Sequence, residues 1–220
     1  MIRISNAFRI AVTIFIVTSF ILAIDSISVA APEYIMLPNP DINGGKPIME
    51  TLSQRKSGRD YKADKLSNRV ISNLLWAAFG VNRPESGKRT APSAMNRQEV
   101  DIYVATEKGL FLYDFTQHAL LILSENDIRG VVGTQDFVKN APLCLIYVAD
   151  FERMDGGIED KIFYSAIDTG YISQNVYLFC SSEGLSTVAV GWVDKAALAK
   201  AMELRNTQSI IITQPVGYPQ

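Results

Sequence analysis

Apolar positions recur along this chain with two different periods, and the two fall in separate stretches. After Ser67, the residues Val70, Ile71, Leu74, Leu75 and Ala78 mark one face of a helix, with Ser67 placed as its N-cap and Gly80 ending it. Ile48 to Gln54 also reads as helical. The middle of the chain changes period. Val100 to Thr106, Leu110 to Asp114 and Ala119 to Leu123 are short runs of strand formers, the first two separated by a Lys108-Gly109 turn, and predict a meander. Leu143 to Ala149 is an unbroken apolar run with polar flanks, as expected for a central strand covered on both faces. Asp160 to Ser182 predicts a long helix, largely apolar and therefore largely buried. A short strand over Thr187 to Val190, a helix capped by Asp194 and running through Met202, and a last strand over Ile210 to Val216 complete the pattern. Helices mixed with a partly antiparallel sheet predict the α+β class.

The ends of the pattern set the domain limits. Arg3 and Arg9 precede an uncharged apolar run, Ile10 to Ile24, followed by small residues up to Ala30 and Ala31. The run is short for a membrane span, which needs about 20 residues, so residues 1–31 predict a cleaved signal peptide rather than an anchor. The protein is then exported, to a periplasm or beyond, and membrane-bound only if that segment stays on. No cysteine follows the run and the two arginines are not adjacent, which argues against a lipid anchor and the twin-arginine route. Residues 32–47, rich in Pro, Asn and Gly, predict an extended arm, and residues 48–220 one domain. The 220 residues carry a formal net charge of −2 with the basic residues dispersed, unlike a nucleic-acid-binding face. Cys144 and Cys180 both sit in apolar runs; an exported chain could pair them, and two buried inert thiols are the simpler expectation.

Two polar segments stand out from this frame. Arg55–Arg59 (RKSGR) concentrates guanidinium and ammonium groups around a serine and a glycine. Guanidinium forks suit phosphate oxygens, although a basic run alone is as often a solvated helix end. Downstream, Arg89–Gln98 (RTAPSAMNRQ) places small residues beside Asn96, which both donates and accepts. Such a segment can lie against a flat polar-edged ring, or simply form an irregular loop.

Taken in order, with a helix between them, the two segments resemble the flavin-binding pair of the FMN-dependent nitroreductase family. The resemblance extends over Leu74–Gly80, Gln135–Val138, Ala141–Val148, Gly170–Leu178, Gly184–Gly191 and Pro215–Pro219, and so covers residue 37 to the end. It implies a three-layer α+β fold: a central mixed, mainly antiparallel sheet flanked by helices, in a homodimer with two FMN sites at the interface. Arg55, Lys56, Ser57 and Arg59 would then hold the phosphate, the ribityl chain and the N1–C2 side of FMN. Pro92, Ser93, Met95 and Asn96 would line the ring, with Gln98 behind. Val188, Ala189, Val190 and Gly191 would lie near flavin N5, offering backbone N–H groups. Two departures bear on affinity and access. Many family members carry Lys or Arg after the terminal strand, whereas Pro219-Gln220 follows it here, and Gly191-Trp192 stands where many have an acidic residue followed by Gly.

The implied activity is hydride transfer from NAD(P)H, or another donor, through FMN to an electron-poor small molecule such as a nitroaromatic or quinone. Reductive dehalogenation is another chemistry of the same family. A flavin-free binding or structural protein on the same scaffold is the alternative outside enzymology. No side chain is required as acid or base, so no catalytic residue is assigned. His118, the single histidine, lies in a predicted turn, which leaves no histidine pair for a metal site or a triad. Asp155–Asp160 lacks the spacing of an EF-hand and reads as a solvated loop, Asn43–Lys46 lacks the P-loop ending, and Trp76 is a packing residue.

Overall fold

The computed structural model describes residues 31–220, and the compact unit runs from Glu33 to Gln220. The expected signal peptide over 1–31 therefore lies, but for Ala31, outside the described residues. Among the described residues, nine strands and five α-helices follow in chain order: β1 (Tyr34–Met36), α1 (Ile48–Gln54), α2 (Asn68–Phe79), β2 (Val81–Arg83), β3 (Lys88–Arg89), β4 (Val100–Thr106), β5 (Gly109–Asp114), β6 (Ala119–Ser124), α3 (Asp136–Asn140), β7 (Leu143–Asp150), α4 (Ile158–Glu183), β8 (Ser186–Thr187), α5 (Lys195–Ala201) and β9 (Gln208–Gly217).

Seven strands form one sheet in the order β1-β6-β5-β4-β7-β9-β8. Each described pairing is antiparallel, so the sheet has the expected dominant character while the parallel pair that would make it mixed is absent among the described residues. Strand β7 lies in its interior, paired with β4 through Tyr103↔Ile146 and with β9 through Ile146↔Thr213. Side chains alternate across it. Leu143, Leu145 and Tyr147 face a core made with α2 and α4, whereas Cys144, Ile146 and Val148 face a second core made with α3 and α5. Two covered faces explain why this strand reads as a continuous apolar run. The result is three layers, helices on both sides of the sheet.

The helix ends follow local chemistry. Ser67 Oγ accepts from Val70 N at 3.3 Å, and Asp194 Oδ1 accepts from Ala197 N at 3.0 Å, each satisfying one donor of an open first turn. Gly184 ends α4 with φ 70°, where its lack of a Cβ removes the usual penalty. Helix α4 is 26 residues long, about 39 Å at 1.5 Å per residue. Ile172, Val176 and Cys180 enter the core, and Ser173 Oγ and Tyr147 OH both donate to the buried Gln214 Oε1, at 2.9 and 2.6 Å. The opposite face is not buried in the single chain, contrary to the expectation from its apolar composition. Ile162 is 54% and Phe163 59% exposed, with Ile158, Tyr164, Ile167 and Tyr171 also open.

Other differences are local. The arm is not merely extended: it begins with β1, paired to β6 through Ile35↔Leu120, and so belongs to the sheet. The polar loop at Glu85–Arg89 closes a small hairpin, β2 with β3. The expected strand over Thr187–Val190 shrinks to β8 and a single bridge, Val190↔Thr213. Gln135–Val138 forms the approach to β7 as a one-turn helix, α3.

Candidate functional site

The Arg55–Arg59 segment leaves α1 and runs against β8. Gly58 N donates to Thr187 O at 2.9 Å, and a Cβ on Gly58 would stand 2.1 Å from Ser186 Oγ. Glycine is thus what lets the two backbones meet. Tyr177 on α4 ties them together. Its hydroxyl lies 3.1 Å from Ser57 Oγ and accepts from Ala189 N at 2.8 Å, and the Arg55 guanidinium sits 5.3 Å from its ring centre. Beside this junction, Lys46, Lys56, Gly58, Tyr177, Ser186 and Pro219 border a cavity of about 500 Å³. Among the described residues no carboxylate pairs with Arg55, Lys56 or Arg59, so their charge is open to an external anion.

The Pro92–Gln98 segment is a different construction. Ala94–Asn96 makes one 3-10 turn, and Met95, Asn96 and Gln98 all have φ between 51° and 56°. Left-handed conformations cost non-glycine residues on the order of 1–3 kcal/mol each and persist only where the surroundings enforce them. Here Ser93 Oγ accepts from Gln98 N at 2.9 Å, and Asp168 Oδ2 on α4 accepts from Ala94 N at 2.8 Å. The strained turn presents Met95 and Asn96 to solvent. Gln98 Nε2 turns back to donate to Gly87 O and Asn96 Oδ1.

One chain does not bring these two halves together. One is anchored on Asp168 and the other on Tyr177, nine positions further along α4, roughly 13 Å of helix. Within the second half, the four residues Val188–Gly191 divide. Val188 and Val190 bury their side chains in the core, while Ala189 and Gly191 are exposed. Val190 N is committed to Thr213 O at 2.8 Å and Ala189 N to Tyr177, which leaves the amides of Val188 and Gly191 as the candidate donors. Arg59 is exposed and makes no contact with Tyr177 of the kind Arg55 and Ser57 make.

Sequence reasoning missed Tyr177, Lys46 and Asp168. Tyr177 and Asp168 lie in the middle of a helix, where periodicity gives no hint of their partners. Lys46 lacks the P-loop context that would mark it in sequence, yet it borders the cavity, with Nζ 2.7 Å from Gln54 Oε1. The other candidates take structural roles. His118 bridges Ser72 Oγ at 2.7 Å and Tyr113 OH at 2.9 Å, tying α2 to the sheet. Burial pushes its imidazole below the ordinary value, favouring the neutral ring. Both cysteines are free and buried, and burial pushes the Cys144 thiol up to about 12. No group of His, Cys, Asp and Glu among the described residues could hold a metal ion. No helix among them is long and apolar enough to cross a membrane.

Comparison with known proteins places this geometry. The nitroreductase family model matches residues 52–218. A protein of Methanocaldococcus jannaschii named among the nitroreductases is 31% identical over 189 residues, covering 81% of this chain and 93% of its own. The FMN reductase [NAD(P)H] of Bacillus subtilis is more distant, 21% identical over 187 residues, or 78% of this chain and 66% of the relative. A crystal structure from Ralstonia eutropha, described under the same family name, superposes with a TM-score of 0.82 at 40% identity, over 85% of this chain and 90% of the other. On the match to most of its length and on this shared architecture, the chain belongs to the nitroreductase family.

Proposed function

We propose that this protein is an FMN-dependent oxidoreductase that works as a homodimer. The observation that carries the proposal is the junction at Tyr177. It gathers Arg55, Ser57 and the Ala189 loop beside a cavity whose lysines have no full complement of carboxylates. The residues fit FMN. Arg55, Lys56 and Lys46 supply cations for a phosphate, Ser57 and Tyr177 hydroxyls for a ribityl chain, and Asn96 a donor and acceptor for the ring edge. A cation held near N1 would stabilise negative charge that develops there. FMN, when bound, supplies hydride transfer at N5, chemistry no side chain of this chain can perform.

The two halves lie roughly 13 Å apart along α4 in one chain. A second copy packed on the exposed face of α4 would bring the Pro92–Gln98 turn of one subunit to the Tyr177 junction of the other. The name of the Bacillus subtilis relative supports FMN chemistry and a reduced nicotinamide donor. A flat electron-poor acceptor, such as a nitroaromatic or a quinone, would take the place the donor leaves. The N-terminal pattern supports export, with Arg3 and Arg9 ahead of an apolar run.

A second reading has its own observation. Ser57 Oγ and Ala189 N are both engaged by Tyr177 within the chain, a pairing that a non-catalytic scaffold would also have. One experiment separates the two: purified protein is incubated with FMN, desalted, and its visible spectrum recorded. Retained oxidised-flavin bands that bleach with NAD(P)H and return with a quinone support the enzyme. A folded, colourless dimer supports the scaffold instead.

A further inference from the structure

The two most exposed large hydrophobic side chains among the described residues are Met95, at 81%, and Trp192, at 76%. One falls in each half of the candidate site. Met95 stands in the Pro92–Gln98 turn, and Trp192 follows three positions after Ala189, whose N–H is bonded to Tyr177. Single exposed hydrophobic residues are ordinary on a protein surface. These two differ in that the backbone enforces the exposure. Met95 is held at φ 54°. Trp192 does not sit on a free loop either. Val190 exchanges both backbone hydrogen bonds with Thr213 of β9, at 2.8 and 3.0 Å. Trp192 O accepts from Thr134 N at 3.2 Å and from Thr134 Oγ1 at 3.1 Å. Asp194, two positions on, caps α5. Val190 and Val193 pack toward the core made with α3 and α5, which leaves Gly191 and Trp192 facing out. Beside the indole there is room, because a Cβ on Gly191 would meet no atom within 4 Å outside its chain neighbours.

An indole is a large apolar body with an electron-rich face, and in a folded chain it is normally covered. Here it is pinned in the open, next to free space and to the Gly191 amide. We infer that Trp192 is the specificity-determining residue of the site: its indole is the platform on which a flat, electron-poor acceptor ring stacks, with Met95 of the other half across from it. An offset stack on such a ring adds to the apolar area that both surfaces remove from water. The unbranched thioether of Met95 adapts to rings of different outline and makes favourable contacts at their edges. An acceptor without a flat face gains neither contact. The inference rests on the flavin function proposed above and names the class of acceptor that the site selects.

The test takes the full-length protein loaded with FMN, reduces it with dithionite under nitrogen, and follows its reoxidation at the flavin absorbance band. Menadione and nitrobenzene serve as flat acceptors, and ferricyanide as one that cannot stack. In Trp192→Leu, the menadione and nitrobenzene concentrations that give half the limiting rate should rise roughly two- to tenfold, the worth of an aromatic pair. In Trp192→Phe, which keeps a flat apolar face, they should stay close to wild type. The ferricyanide dependence should not follow in either variant. A rise for only one of the two flat acceptors supports the platform and narrows its class to that acceptor. A second readout needs no turnover. Trp76→Phe leaves Trp192 as the single tryptophan. Menadione should then quench its emission to a plateau in the oxidised holoprotein, whereas chance collision would quench it without one. An unmoved dependence on both flat acceptors in Trp192→Leu, an equal loss with ferricyanide, or a change of oligomeric state in that variant overturns the proposal. Wild type that takes up no FMN ends the flavin reading itself, and this proposal with it. FMN uptake with an unmoved acceptor dependence ends only the role of Trp192.

Discussion

At the scale of single residues, Arg55 and Arg59 look equivalent in sequence and are not equivalent in space. Arg55 sits against the Tyr177 ring, whereas Arg59 is exposed beyond Gly58. Arg55→Ala is expected to weaken FMN binding by about 1.5–3 kcal/mol, the worth of a hydrogen bond to a charged group. Arg59→Ala should cost clearly less, and equal losses in a fluorescence titration would place both on the ligand. Glu99 gives a pH prediction with a definite sign. Burial raises its carboxyl from an ordinary value near 4.5 to about 7 in the folded state. The folded chain binds the proton more tightly, so its stabilisation is complete below about 4.5 and is lost as pH rises through about 7. The urea midpoint should fall across that window in wild type. The fall should be smaller in Glu99→Gln, and an identical profile in both would remove Glu99 as its source. Arg55, Ser57 and Asn96 were legible as candidates because their chemistry is visible in their names; Glu99 was not, because its significance lies in what fails to surround it.

At the scale of elements, helix α4 carries the organisation. Its inner face locks to the sheet through Ser173 and Gln214, and it carries both Asp168, bonded to the Pro92–Gln98 turn, and Tyr177, bonded to Ser57 and Ala189. Its outer face leaves Ile158, Ile162, Phe163 and Ile167 in water, an apolar stripe of the kind that marks an association surface. Replacing Ile162 and Phe163 together by glutamate should convert a dimer to a monomer in light-scattering chromatography and weaken FMN retention. Each far-UV spectrum should stay unchanged, since neither side chain packs in the core of its own chain. A variant that remains dimeric and flavin-bound would move the interface elsewhere. The helix was readable from sequence almost to its ends, but its burial was not. An apolar composition says that a face will be covered, and does not say whether the cover comes from the same chain.

At the scale of the whole molecule, two cores on opposite faces of one sheet make the three layers, and Cys144 and Cys180 fall in different ones. Each thiol is held in its own core, and the sheet stands between them. Neither should react with a thiol reagent in the native protein, and both should react once it is unfolded. Rapid modification of either in the native state would contradict the packing. The same separation answers the question left by their sequence context, where two apolar runs were compatible with a bridge or with none.

What the sequence determined by itself are the features governed by neighbours a few residues away. These are the period of α2 and the strands, the caps at Ser67 and Asp194, and the interior position of β7. Tertiary structure alone decided what depends on partners far along the chain. It set β1 on the sheet edge, buried the Glu99 carboxylate without a hydrogen-bond partner, drew Ser57 and Ala189 to Tyr177, and placed Asp168 and Tyr177 nine positions apart on one helix. Local propensity is set by backbone sterics and periodic burial, which any short window of sequence displays. Proximity of charges and hydrogen-bonding groups is set by how the layers pack, which no window contains.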